Sequence, residues 1–381
     1  MKRMPKLLLG LLAALPALAA AQGLSMQMSN GWKFSFAGNV NAFAVFTADA
    51  NSGQKNFAIR TGLLPGFAVF EAKGHEGNYD LGVHVGFAPQ IQTGGGHDNP
   101  VGAQIDMRQF YMTVGMKNGS QILAGRELGV FLRQNLINDM TLYGTGAQGG
   151  VQGRGTTLGR IGYGYLYPNF NAQITYSSTA AKPTQFTVGL FQPSFHGGLN
   201  ETELPRLEAE VTHAMKRGGG KNANLWVNGL WQTTKSAPGG TSLTSIGLGA
   251  GVRADLTPEL NLTVAGYYTK GVGALLMFDG NAVADPTHGR PDEGGYVQLM
   301  YKMNANTQLG GSFGISELKG GGAASGDGNS NSIAHLASYT VGYYHNMSKS
   351  LKAVLEGTKE INSYAGAPNR IDVSAGLMLF F

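Results

Sequence analysis

IDVSAGLMLFF, residues 371–381, alternates along its whole length. Ile371, Val373, Ala375, Leu377, Leu379 and Phe381 share one parity, while Asp372, Ser374 and Gly376 share the other. Successive side chains of a strand point to opposite faces, so the stretch reads as a strand with one apolar face and one polar or small face. The rhythm recurs at residues 32–46. There Trp32, Phe34, Phe36, Val40, Ala42, Ala44 and Phe46 alternate with Lys33, Ser35, Asn39 and Asn41. A soluble sandwich turns its apolar face inward, whereas a membrane barrel turns it toward lipid and lines water with the polar face. A single strand fits both. The whole chain separates them, because period-two segments recur throughout and no helical pattern is available to cover a sheet.

Further strands are expected at residues 57–73, 79–91, 106–116, 121–125, 170–178, 185–192, 207–215 and 223–234. Others follow at 245–256, 260–270, 296–303, 307–318, 339–347 and 351–361. The strand at 57–73 bends near residues 62–66, and Pro168 interrupts the tyrosine-rich run at 161–169. Connections 257–259, 304–306 and 348–350 are short, while 271–295, 319–338 and 362–370 are long and rich in Gly, Asn, Asp and Pro. Short turns at one end and long loops at the other belong to outer-membrane barrels. The expected fold class is all-β: a transmembrane antiparallel β-barrel of about 16 strands. Aromatics near strand ends fit interfacial girdles: Trp32, Tyr79, Tyr111, Trp226, Trp231, Tyr267, Tyr268, Tyr296, Tyr301, Tyr343 and Tyr344.

Composition agrees. The chain has 381 residues, 13% of them charged, and no Cys, yet nothing beyond residue 21 is apolar long enough for a transmembrane helix. Residues 1–21 read as a cleavable signal peptide: basic Lys2, Arg3 and Lys6, an apolar run 7–18, then Ala19-Ala20-Ala21. Cleavage after Ala21 leaves one barrel domain, 22–381. It also removes three basic residues, so 25 basic face 23 acidic ones. That near-neutral balance argues against nucleic acid as a partner.

The alternation fails once, at residues 125–160, GRELGVFLRQNLINDMTLYGTGAQGGVQGRGTTLGR. A loop that long is usually functional or disordered. It holds Glu127 and Asp139, the apolar group Leu136, Ile137, Met140 and Leu142, and Arg126, Arg133, Arg154 and Arg160. We read it as a long third loop, about residues 129–156, folded into the lumen to narrow the pore.

The end of the chain resembles the signal read by the outer-membrane barrel assembly machinery, with Ser374, Gly376, Leu379 and Phe381 at the matching places. DMRQ at 106–109, GRELGVF at 125–131, NDMTL at 138–142 and TTLGRIGYGY at 156–165 resemble Gram-negative general porins of the β-proteobacterial type. The resemblance implies a homotrimer in the outer membrane, touching its lipid and lipopolysaccharide and passing small hydrophilic solutes and ions by diffusion. It implies loop acids facing wall arginines. Asp139 is the first constriction acid and Glu127 the second, opposite Arg60, Arg108 and Arg160, with Arg126 and Arg154 as companions or trimer contacts. Strand one departs from the pattern, carrying Asn39 and Asn41 where many porins have a lysine. Arg108 shares parity with Phe110, Met112 and Val114, which leaves its phase ambiguous.

Two alternatives remain. A substrate-selective channel on the same fold would use Tyr143, Tyr163 and Tyr165 as a binding track. A barrel enzyme has less support: the eight histidines include no H-E-x-x-H pair, and no G-x-S-x-G elbow is present. No cofactor or metal is implied, and the adjacent acids Asp292 and Glu293 read as a solvated loop.

Overall fold

The computed structural model describes residues 23–50, 52–91, 105–148, 155–195, 201–236, 240–280, 282–285, 288–319, 335–362 and 369–381. Residues 1–21, where a signal peptide is expected, and Arg154 lie outside the described residues. Strands β1 (Leu24–Gln27), β2 (Lys33–Asp49), β3 (Lys55–Arg60), β4 (Phe67–Glu76), β5 (Tyr79–Pro89), β6 (Ile105–Met116) and β7 (Gln121–Leu128) come first. A segment then carries a short helix α1 (Arg133–Ile137) and a 3-10 turn (Met140–Tyr143). β8 (Phe170–Ser177), β9 (Thr184–Phe191), β10 (Arg206–Arg217), β11 (Lys221–Lys235), β12 (Ser242–Asp255) and β13 (Leu260–Lys270) follow it. A small hairpin, β14 (Val283–Asp285) and β15 (His288–Gly289), precedes β16 (Pro291–Lys302), β17 (Thr307–Leu318), β18 (His335–Asn346), β19 (Leu351–Asn362) and β20 (Arg370–Phe380).

Eighteen of these strands form one antiparallel sheet. β3 and β4 both pair with β2, as the two halves of one bent strand. β1 pairs with the start of β2, directly beyond the end of β20 on the same edge. Counting each of those pairs once reduces eighteen segments to sixteen staves, and β20 pairing with β2 closes the ring. The expected strands correspond one to one with these staves. Several reach further than expected; β16 begins at Pro291 and β18 at His335. Asp292 and Glu293 therefore lie in a strand, one buried and the other exposed, and point to opposite faces. Residues 161–169 form only isolated bridges, as Pro168 suggested.

The barrel is apolar outside and polar inside. On β20, Ile371, Val373, Leu377 and Leu379 are 48–50% exposed, while Asp372 and Ser374 are 2% exposed. On β2, Val40 and Phe46 face out and Asn39 and Asn41 are buried. A closed sheet has no edge strand whose backbone groups would be left to satisfy in lipid. No helix among the described residues is long and apolar enough to cross a membrane, which says nothing of strands.

Candidate functional site

The described parts of the connection between β7 and β8, residues 129–148 and 155–169, pack on the polar face of the sheet. Its backbone amides donate to a sequence of wall side chains, stave by stave. Val130 and Phe131 donate to Glu208 Oε2 on β10 at 2.7 and 2.9 Å. Leu132 donates to Asn228 on β11 at 3.1 Å, and Met140 to Gln298 on β16 at 2.6 Å. Thr145 and Gly146 both donate to Glu356 Oε2 on β19, at 2.7 and 2.8 Å, and Gln148 donates to Glu360 at 2.7 Å. Irregular backbone leaves amides without ladder partners, and buried amides must find acceptors. Wall carboxylates supply them, and hydrogen bonds to charged acceptors are the stronger kind.

Apolar contact completes the docking. Phe131 and Leu132 are fully buried, and Leu136, Met140 and Leu142 nearly so. They cluster with the inward wall residues Phe43, Trp226, Tyr267, Tyr296, Val354, Met378 and Phe380. The wall is thinned where the segment sits: a Cβ on Gly247 would lie 2.5 Å from Phe131 Cζ, and one on Gly249 2.5 Å from Leu132 Cδ2. Trp226 donates its indole N–H to Asn135 Oδ1 at 2.9 Å, and the Tyr296 hydroxyl donates to Asn135 O at 2.9 Å. These two aromatics, with Tyr267 and Tyr344, therefore face inward and leave the expected girdle. Their neighbours Tyr268 and Tyr343 remain outside with Tyr79 and Tyr301, because adjacent strand residues cannot share a face.

The charges expected at a constriction fall into distinct places. Asp139 is 3% exposed and caps the 3-10 turn, accepting from Thr141 N at 2.9 Å and Thr141 Oγ1 at 2.6 Å. The Tyr165 hydroxyl donates to it at 2.8 Å, so Asp139 ties the two limbs of the segment together. Burial, with Asp139 alongside, pushes the Tyr165 phenol well above its ordinary value, so it stays a donor. Arg160 lies on the segment. It reaches across to Ser312 on β17 (Nε, 3.1 Å) and to Ser338 O and Oγ on β18 (Nη1, 3.2 and 3.1 Å). Arg60 is on the wall and points back, donating to Gln148 O, Gly155 O and Thr156 O at 3.4, 3.1 and 2.9 Å. All three are buried struts.

Glu127 is on the inward face of β7, where Gln109 Nε2 donates to both its oxygens, at 3.1 and 2.9 Å. Arg108 sits at a register shift between β5 and β6: Gly86 pairs with Gln109, but Phe87 pairs with Met107. That bulge adds one residue and resolves the ambiguous phase, because Phe110 and Met112 face out beyond it while Arg108 turns in. Arg108 donates to Asp106 at 2.8 Å and to the Tyr167 hydroxyl at 3.2 Å. Arg126 corrects the expected set. It shares the exposed face of Phe110, its cross-strand partner, and bonds Met107 O at 3.2 Å, so it is not among the inward charges.

The expected polarity is also corrected. Loop acids opposite wall arginines is not the dominant pattern among the described residues: the wall contributes Glu208, Glu210, Glu356 and Glu360, and the segment contributes Arg133 and Arg160. Arg133 donates to Glu210 at 2.6 Å. Burial would lower the Arg133 guanidinium, but Glu210 beside it holds it above its ordinary value. The tyrosine track fails on burial: Tyr163 and Tyr165 are 3% and 0% exposed and bond Glu360 and Asp139. Among the inward charges that sequence reading missed, two cations touch the segment. Arg253 on β12 is exposed and contacts Asn138 Oδ1 at 3.4 Å, and Lys352 on β19 lies 5.0 Å above the Tyr143 ring. Both occupy the polar parity of their strands, the only signal that could have found them.

No protein-family model matches the chain, and no curated protein does. Solved structures do. The outer-membrane channel DcaP of Acinetobacter baumannii superposes with a TM-score of 0.67 over 93% of this chain and 99% of that one, at 17% identity. The fold is that of outer-membrane porins. The anion-selective porin from Comamonas acidovorans gives 0.65 over 92% and 100%, at 13% identity. A trimer form of OmpT from Vibrio cholerae gives 0.55 over 92% and 100%, at 12% identity. The porin fold thus covers more than nine-tenths of the chain.

Proposed function

We propose that the chain is an outer-membrane porin: a channel for passive diffusion of small hydrophilic solutes and ions, exported by a signal peptide cleaved after Ala21. The observation that carries this reading is the inside-out barrel with a segment pinned across its polar face. An apolar exterior suits lipid, and the segment leaves only part of the polar interior for water. The narrowest part is bounded by the segment's less buried edge, Arg133, Asn138 and Tyr143, with Arg253 and Lys352 on the wall. Asp139, Arg60 and Arg160 hold that edge in place, and Glu127 and Arg108 bear on it from β6 and β7. The resemblance of motifs supports a general porin of β-proteobacterial type, inserted by the barrel assembly machinery through Ser374, Gly376, Leu379 and Phe381.

A homotrimer fits the apolar outer face of β3 to β6, where Phe57, Ile59, Phe110 and Met112 are 55–67% exposed. Arg126 belongs with that interface rather than with the pore. Purified protein added to planar bilayers is expected to give stable current steps that scale with salt. Unheated gel mobility is expected to report the trimer. Correctly folded barrels that conduct no ions would overturn the channel reading.

A further inference from the structure

The inward face of β4 to β7 carries a chain of polar groups that the segment's anchoring does not use. His84 Nδ1 lies 3.1 Å from Glu71 Oε1, and Lys73 Nζ lies 2.6 Å from Glu71 Oε2. The His84 ring stacks on Tyr111 at 4.6 Å and 8°. A Cβ on Gly86 would lie 2.9 Å from Gln109 Oε1 and 3.4 Å from His84 Nε2, which places the Gln109 acceptor and that ring nitrogen over the same glycine. Gln109 in turn donates to Glu127. The row therefore runs Glu71, His84, Gln109, Glu127 across four neighbouring strands. His84 Nε2 is buried and has no hydrogen-bond partner in the neutral ring.

We propose that His84 is a specificity-determining residue of the channel, whose protonation converts the Glu71–Glu127 wall from cation-attracting to neutral. The proposal rests on the channel reading above. The groups facing His84 are Glu71 and Lys73 from β4, Tyr111 and Gln109 from β6 and Glu127 from β7, with Arg133 of the segment bearing on Glu127. With His84 neutral, two carboxylates and one ammonium leave a net single negative charge on this wall. A proton on Nε2 cancels it, while Nδ1–H stays on Glu71. Charge on a pore wall sets which ions concentrate there. Cation preference therefore rises as rising pH removes that proton and falls as pH falls.

The test is the reversal potential of the reconstituted trimer in a tenfold KCl gradient, read from pH 5 to pH 8. Wild type is expected to become more cation-preferring with rising pH along a single titration. His84→Gln, which keeps a neutral hydrogen-bonding side chain, is expected to hold one value across the range. His84→Lys is expected to fix the low-pH value. If either variant fails to fold, Glu71→Gln serves: losing that carboxylate is expected to lower the cation preference at pH 8. A flat wild-type profile, a pH dependence that survives in His84→Gln, or an unchanged cation preference at pH 8 in Glu71→Gln each overturns the proposal while leaving the channel reading intact. Absence of any conductance in folded protein overturns the channel reading itself.

Discussion

Glu356→Gln isolates the charge that anchors the segment. The wild-type carboxylate accepts Thr145 N–H at 2.7 Å, Gly146 N–H at 2.8 Å and Thr145 Oγ1 at 3.3 Å through Oε2, and the Tyr344 hydroxyl through Oε1. Glutamine keeps the shape. Its oxygen can still accept both amides, and its NH2 can face a Tyr344 hydroxyl turned to accept. What is lost is charge on two bonds. A bond to a charged acceptor contributes about 1.5–3 kcal/mol and a neutral one about 0.5–1.5, so the loss is about 2 kcal/mol for the pair. That shifts docked against released segment roughly 25-fold toward release. Glu356→Ala strands both buried amides and costs roughly 2–6 kcal/mol. Neither change touches the strand ladder, so the barrel should keep its heat-modifiable mobility. Single-channel recordings are expected to show open-channel noise and brief closures rising from wild type to glutamine to alanine. Wild-type noise in both folded variants would refute the idea that this carboxylate holds the segment.

Three further outcomes follow from the same geometry. Gly247→Val places methyls where Phe131 sits, at a cost of about 1–3 kcal/mol, and is expected to expose residues near 131 to protease in the folded barrel. Leu355→Arg puts a charge on the outward face of β19, where Leu355 is 51% exposed, and is expected to cost about 2–4 kcal/mol, measured by urea titration of folding into vesicles. Arg253→Ala removes an exposed cation from the polar face of β12 and is expected to shift the reversal potential toward cations, with little change in folding yield.

The fold was legible because period two survives at single-residue resolution: every expected strand has its stave, and even the bend before Phe67 showed as a glycine–proline interruption. Facing was less legible where a strand carries two adjacent aromatics. Tyr267 and Tyr268, or Tyr343 and Tyr344, look alike in sequence, yet one of each pair packs on the segment and the other faces out. The phase of Arg108 depended on one bulged residue, which composition does not mark. The anchoring was not legible at all. Thr145 and Glu356 are 211 positions apart, and Val130 and Glu208 are 78 apart. A glutamate that accepts backbone amides has the same local sequence as one that faces water. The resemblance supplied Asp139, Arg60 and Arg160 as charges of interest, but only contacts distinguish a strut from a charge that meets solute.

Those contacts also explain an anomaly in the inward pattern. Phe43, Val45, Leu230, Val354, Met378 and Phe380 occupy the inner parity of β2, β11, β19 and β20, where a water-filled barrel would suffer from them. β5 and β6 break the trend: their inner positions include Asp80, His84, Gln109, Tyr111 and Thr113. The two sets lie on different sides of the ring. The apolar set lies where the segment docks, and burying it drives docking, since each large apolar side chain removed from water contributes about 1.5–3 kcal/mol. The polar set has no such cover from residues 130–148, whose described hydrogen bonds go to β3, β10, β11, β12, β16, β19, β20 and the bend after β3. The barrel thus has a dry half and a wet half, written into its strands by which inner positions are apolar. A charge introduced on the dry half, at Val354 or Phe380, acts by expelling the segment. The same charge at Thr113 acts on the solute directly. Widened conductance in the first case and altered selectivity at constant conductance in the second would distinguish the two halves.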